Sequence, residues 1–144
     1  MTASRPPAID AQTEARLLAA ARAARERAYV PYSRFQVGAA LLDEQGRIHA
    51  GCNVENAAYP QGTCAEAGAL SALVLAGGTR IVAALVVGGG TEPCTPCGGC
   101  RQKLREFAAS DTPVLVADPT GLRARYTLAQ LLPDSFGPEH LKDR

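Results

Sequence analysis

The sequence predicts an α/β domain in three layers, α/β/α, with helices on both sides of a mixed, roughly five-stranded sheet. Three observations lead there. Ile81 to Val87 and Pro113 to Ala117 are continuous apolar runs, as expected of strands buried on both faces. Phe35 to Leu42 and Arg47 to Cys52 flank the turn Asp43-Glu44-Gln45-Gly46 and read as a hairpin. Around these strands lie amphipathic or alanine-rich stretches of helical length.

Taken in order, residues 1–10 read as a loose tail and residues 11–144 as one domain. Asp10 can cap a helix running to about Ala28, with Leu17, Leu18, Ala21, Ala24 and Ala28 on one face and arginines opposite. Pro31 follows, then the hairpin, then a polar and aromatic loop over Asn53 to Gly62. Cys64 to about Ala76 is a second helix, closed by Gly77-Gly78. The first buried strand leads into a Gly- and Pro-rich loop, Gly88 to Pro96, and a helix over about Cys97 to Ala109. After the second buried strand come a turn at Asp118 to Gly121 and a short edge strand at Arg123 to Tyr126. Thr127 then caps a last short helix before Pro133.

Composition narrows the function. At 144 residues and 47% hydrophobic, the chain can bury a sizeable core. Its net charge is +1 and it carries no basic stripe, so a small, nearly neutral substrate fits better than a polynucleotide. No stretch reaches the roughly 18 apolar residues of a membrane span, and no secretory signal is visible. Five cysteines, an odd number, argue against a secreted disulfide framework and for a reducing cytoplasm.

Three of those cysteines carry the chemistry. Cys64 stands with Glu66 in Thr63-Cys64-Ala65-Glu66, and Cys97 with Cys100 in Pro96-Cys97-Gly98-Gly99-Cys100. Three thiolates at this spacing can hold one zinc ion and leave its fourth position open for water, with Glu66 placed to move protons. Cys64 and Cys97 fall near predicted helix starts, where exposed amides favour thiolate over thiol. Cys94 and Cys97 also form a CxxC, so a closed four-cysteine structural site or a redox pair competes. The open site is preferred because Glu66 would have no task in a structural site. The Pro-Cys-x-x-Cys segment also matches the zinc-deaminase signature. Cys52 and Cys94 are then small apolar residues, and His49 and His140 are hairpin or surface histidines.

Further segments narrow the match. They are residues 29–40 (Tyr29-Val30-Pro31-Tyr32-Ser33 through Ala40), Gly51 to Tyr59 with Asn53-Val54-Glu55-Asn56, and Leu131-Leu132-Pro133-Asp134-Ser135-Phe136. With Cys64-Ala65-Glu66 and Pro96 to Gln102, these make the chain resemble the cytidine deaminases of nucleoside salvage, over nearly its whole length. The resemblance is to the small homotetrameric class with three cysteine ligands. It implies the cytidine-deaminase-like fold, one Zn2+ per subunit, and hydrolysis of cytidine and 2′-deoxycytidine to uridine and 2′-deoxyuridine plus ammonia. A zinc-activated water would attack C4 while Glu66 relays protons to N3 and the departing amine.

The resemblance also implies a substrate site. Asn53 and Glu55 match the ribose pair, and residues two apart in an extended segment do face the same way. Phe35 matches an aromatic lining the base pocket, the backbone near Ala65 lies where it could contact the base, and Phe136 matches the aromatic that a neighbouring subunit lays over it. One position departs from the pattern: many three-cysteine relatives have arginine directly after the glutamate, where this chain has Ala67. Arg101, beside Cys100, is the nearest candidate in sequence to offset the thiolates' charge, with the two helix N-termini as background, and reads equally as a surface helix residue. Two other functions compete: an aminonucleoside deaminase of the blasticidin type, and a non-catalytic binding module stapled by zinc with Cys94 as fourth ligand.

Overall fold

The Asp10 carboxylate accepts a hydrogen bond from the Thr13 amide at 2.6 Å and so starts the first helix, α1 (Ala11–Arg25). Ile9, just before it, packs on the core. The structure, a computed structural model, describes residues 9–142; the rest of the expected tail, residues 1–8, lies outside them. Helix α1 stops at Arg25 rather than Ala28. The next residues are drawn into other pairings: Tyr29 donates to the Asn53 carbonyl at 3.0 Å and accepts from the Glu55 amide at 2.9 Å.

The hairpin forms as strands β1 (Gly38–Asp43) and β2 (Ile48–Cys52). It starts three residues later than Phe35 because side chains take up most of the backbone of residues 35–37, leaving only the Val37 carbonyl to a backbone amide, that of Asn53. Ser33 Oγ accepts from the Phe35 amide (3.0 Å), while the Asn53 carboxamide accepts from the Val37 amide (2.8 Å) and donates to the Phe35 carbonyl (2.9 Å). A 3-10 turn at Tyr59–Gln61 precedes helix α2 (Ala65–Leu75). Then follow β3 (Ile81–Val87), α3 (Gly98–Phe107), β4 (Pro113–Asp118), β5 (Gly121–Thr127) and α4 (Leu128–Leu131). Thr127 Oγ1 and Gln130 close a capping box on α4, where sequence placed the cap. A second 3-10 turn, Pro138–His140, lies near the end.

The five strands make one mixed sheet in the order β2-β1-β3-β4-β5, with β3 and β4 parallel and the other pairs antiparallel. Alternation along β1 sends Ala39 and Leu41 to one face and Ala40 and Leu42 to the other. On the second face α1 buries Leu17 and Ala21. On the first, α2, α3 and α4 bury Leu73, Leu104 and Leu128. Each such leucine contributes about 1.5–3 kcal/mol of apolar burial. These are the three layers that the sequence predicts.

One contact decides where α2 sits. A Cβ on Gly51 would lie 2.3 Å from the Ala69 amide nitrogen and 2.5 Å from the Ala65 carbonyl oxygen. Only a glycine in β2 lets the first turns of α2 lie flat on the sheet. That approach fixes the start of the helix, and with it Cys64 and Glu66. Among the described residues no helix is long and apolar enough to cross a membrane.

Candidate metal centre

Two helix starts converge here. Cys64 is the N-cap residue of α2 and Cys97 of α3, both in extended conformation, and neither helix has a side-chain hydrogen bond capping it. Their first-turn amides are left facing the sulfurs, with the positive ends of two helix dipoles behind them. Cys100 sits one turn along α3 from Cys97, so the CxxC spacing puts both thiols on one side of the helix.

The Cys64 and Cys97 Sγ atoms are 3.9 Å apart, and all three sulfurs lie within 4.8 Å of one another. Tetrahedral zinc with Zn–S bonds of about 2.3 Å wants its sulfurs about 3.8 Å apart, so the triad fits the ion. Cys100 is buried, while Cys64 and Cys97 are exposed, which leaves one side of the cluster open. Cys94 is not in the cluster. It packs instead under Gly88, where an added Cβ would meet its Sγ at 2.6 Å. The closed four-cysteine reading therefore loses its fourth ligand.

Electrostatics lead to the same ion. Burial pushes the Cys100 thiol far up, aided by repulsion from Glu66 and Cys64. Burial also raises Cys64, and only Cys97 is lowered, chiefly by the Cys100 amide. Three thiolates and a carboxylate so close together cannot all ionise by themselves, and a divalent cation supplies what they lack.

Glu66, in the first turn of α2, is 5% exposed. Burial raises its carboxyl, opposed by its own amide, the Cys100 thiol and the Lys103 ammonium. A buried carboxyl with no salt-bridge partner among the described residues is unusual for a merely structural group. Ala65, next to it, is fully buried.

Asn53 and Glu55 reach the same neighbourhood through one tether. Val54 between them exchanges two backbone hydrogen bonds, 2.9 and 2.8 Å, with Thr63, the residue before Cys64. Glu55 is half-buried, and its Oε1 accepts from the Tyr32 and Ser33 amides at 2.9 and 3.1 Å. Hydrogen bonds from Ser33, hydroxyl first, hold it below the usual carboxylate range. Beside it lies a cavity of about 370 Å³ lined by Tyr32, Ser33, Glu55, Asn56, Tyr59 and Gly62. The rings of Tyr32 and Tyr59 meet there at 5.8 Å. Neither tyrosine was given a role from the sequence; the available signals were Tyr32's place in the matched segment 29–40 and the aromatic character of the 53–62 loop, which holds Tyr59.

Phe35 is exposed, at 42%, with its ring tip near Gly88 and so near Cys94. Phe136 is elsewhere, on the outer side of α3, in contact with Gln102 and His140. Arg101 does not take the role foreseen for it. Its guanidinium donates to the carbonyls of Pro96 (2.7 Å) and Leu131 (2.7 Å) and to Thr95 Oγ1 (3.1 Å), and no hydrogen bond joins it to a thiolate. It braces the loop before α3 rather than offsetting the cluster's charge.

Comparison with known proteins agrees with this geometry. Residues 11–116 match the family model described as the cytidine and deoxycytidylate deaminase zinc-binding region. Among curated relatives, a cytidine deaminase of Sporosarcina psychrophila is 47% identical over 127 residues, covering 88% of this chain and 93% of the relative. The crystal structure of cytidine deaminase from Burkholderia pseudomallei superposes with a TM-score of 0.74 at 40% identity, covering 85% of this chain and 98% of that one. For that from Mycobacterium tuberculosis the TM-score is 0.72 at 45% identity, covering 85% and 96%. With three clustered thiols, a buried glutamate and these likenesses together, the chain belongs to the cytidine deaminase family.

Proposed function

We propose that this protein hydrolyses cytidine and 2′-deoxycytidine to uridine and 2′-deoxyuridine, with release of ammonia. The observation that carries the reading is the buried Glu66 directly beside a three-thiol cluster from which Cys94 is excluded. Cys64, Cys97 and Cys100 would hold the zinc, which would supply a Lewis acid able to bring the ionisation of water near neutral pH. Glu66 accepts the proton that the attacking water loses and passes it to N3 of the base. It then carries a second proton to the amino nitrogen, so that the C4–N4 bond breaks and ammonia leaves as C4 becomes a carbonyl.

The remaining residues bind and orient. Asn53 and Glu55 face the sugar hydroxyls, Glu55 through its second carboxylate oxygen, while Phe35 and the backbone at Ala65 line the base. The Asn53 side chain already holds residues 35 and 37, so it couples the sugar site to the base site. Phe136, a large apolar side chain left 56% exposed, fits delivery to a neighbouring chain of a homotetramer. Free thiols that must stay reduced to bind zinc suit the cytoplasm, where such an enzyme would serve pyrimidine salvage.

Steady-state rates on cytidine, deoxycytidine, deoxycytidylate and blasticidin S, followed by absorbance, test this substrate class. The reading requires the two nucleosides to be turned over with the highest kcat/KM. Preference for blasticidin S or for the 5′-phosphate would replace it.

A further inference from the structure

The segment that carries Phe136 is gripped by the helix that carries two of the zinc ligands. Arg105, one turn beyond Arg101 on α3, donates through Nε to Ser135 Oγ at 2.7 Å and through its other end to Glu139. Its guanidinium lies flat against Gly137: a Cβ there would meet the Arg105 carbon and both terminal nitrogens at 2.3–2.5 Å. Gln102 Nε2 donates to the Phe136 carbonyl at 3.0 Å. His140 completes the grip, its ring stacked on that of Phe136 at 4.8 Å and 19°, while its Nδ1 accepts from the Gly137 amide at 3.0 Å.

An exposed aromatic is ordinarily free to change rotamer, and ordering it on binding costs affinity. Here the stack covers one ring face, the Phe136 carbonyl is bonded to α3, and α3 also holds the Ser135 side chain on one side and packs against Gly137 on the other. From this geometry we infer that Arg105 and His140 are positioning residues that hold Phe136 in advance for the pyrimidine ring of a neighbouring chain's site. The inference rests on the proposed role of Phe136. It adds that the affinity of one site is set by a clamp on another subunit, tied through α3 to that subunit's own metal centre.

The test compares Phe136→Ala, Arg105→Gln, His140→Ala and His140→Phe as zinc-loaded proteins. Cytidine KM and kcat, zinc content and assembly size are measured for each. An aromatic contact is worth about a 3- to 10-fold change in binding. Phe136→Ala should raise KM by at least about that factor; Arg105→Gln and His140→Ala should raise it by about that factor with kcat, zinc and assembly unchanged, and His140→Phe should restore KM by keeping the stack. If Phe136→Ala raises KM while Arg105→Gln and His140→Ala do not, the clamp is overturned and the role of Phe136 stands. If Phe136→Ala leaves KM unchanged, the role of Phe136 falls and takes the clamp with it. Loss of zinc, assembly or kcat in the Arg105 and His140 variants assigns them to structure alone and also overturns the inference.

Discussion

Two clusters of ionisable side chains stand at opposite ends of the β1–β2 hairpin, and helix α2 runs from one to the other. At the turn end, the buried carboxylate of Asp43 is fully answered. Oδ1 accepts from the Gln45 and Arg47 amides, and Oδ2 meets Arg47 Nε and His49 Nε2, both at 2.8 Å. Burial alone would raise this carboxyl, but those bonds, His49 first, hold it well below the usual range. Arg47 also donates to the Ala76 carbonyl at the end of α2. At the start of α2, Cys64, Cys97, Cys100 and Glu66 have the opposite character: groups that ionise to one sign of charge lie together, Cys100 and Glu66 among them buried, with helix-end amides and the nearby Lys103 but no salt bridge among the described residues to relieve them. A cluster that satisfies itself is part of the scaffold. A cluster that cannot is waiting for an ion.

The comparison can be broken at either end. The largest effect is expected from Cys100→Ala, which should cost at least about 100-fold in zinc affinity, and with it all measurable turnover, because two thiolates hold zinc poorly. Chelator competition measures it. Next, Glu66→Ala should bind zinc and nucleoside yet lose about 10²–10⁴-fold in kcat; near-normal turnover by the zinc-loaded protein would remove Glu66 from the reaction.

At the other end, Asp43→Asn should destabilise the fold by about 2 kcal/mol at pH 7 through lost charged hydrogen bonds, with zinc content and kcat kept. Its sign with pH is fixed. The folded carboxyl lies below its ordinary 3.8, so its contribution is full above that value and fades as pH falls through the folded one. Denaturant melts of both proteins at pH 7 and in acid should therefore converge in acid. The smallest effect belongs to Cys94→Ser, which should keep zinc and leave kcat within about twofold, since this thiol only packs beneath Gly88. Zinc loss in that variant would bring back the four-cysteine site.

Much of this was legible because it is local. Buried strands advertise themselves as unbroken apolar runs, and β3 begins and ends where its run does. The ligands sit at helix starts that Pro96 and the alanine-rich stretch after Cys64 announce. What sequence missed depends on side chains reaching across the fold. The Asn53 side chain stands in for ladder bonds at the Phe35 carbonyl and the Val37 amide, which shortens β1. His49 is a hairpin histidine, as the sequence reads, in β2; what the sequence did not show is that it completes the Asp43 cluster six residues away. Arg101 looked like the thiolates' counter-charge because it is adjacent in sequence. Helical geometry turns it instead toward the carbonyls of Pro96 and Leu131.

The central claim is that the unanswered cluster is a zinc site that deaminates nucleosides. Its most direct test is the fall in absorbance as cytidine becomes uridine, read on the purified protein as isolated, after zinc removal, and after zinc is returned. The account predicts turnover that disappears with the metal and comes back with one equivalent of zinc per chain. Turnover that survives complete zinc removal, or its absence from protein carrying a full equivalent, would contradict it.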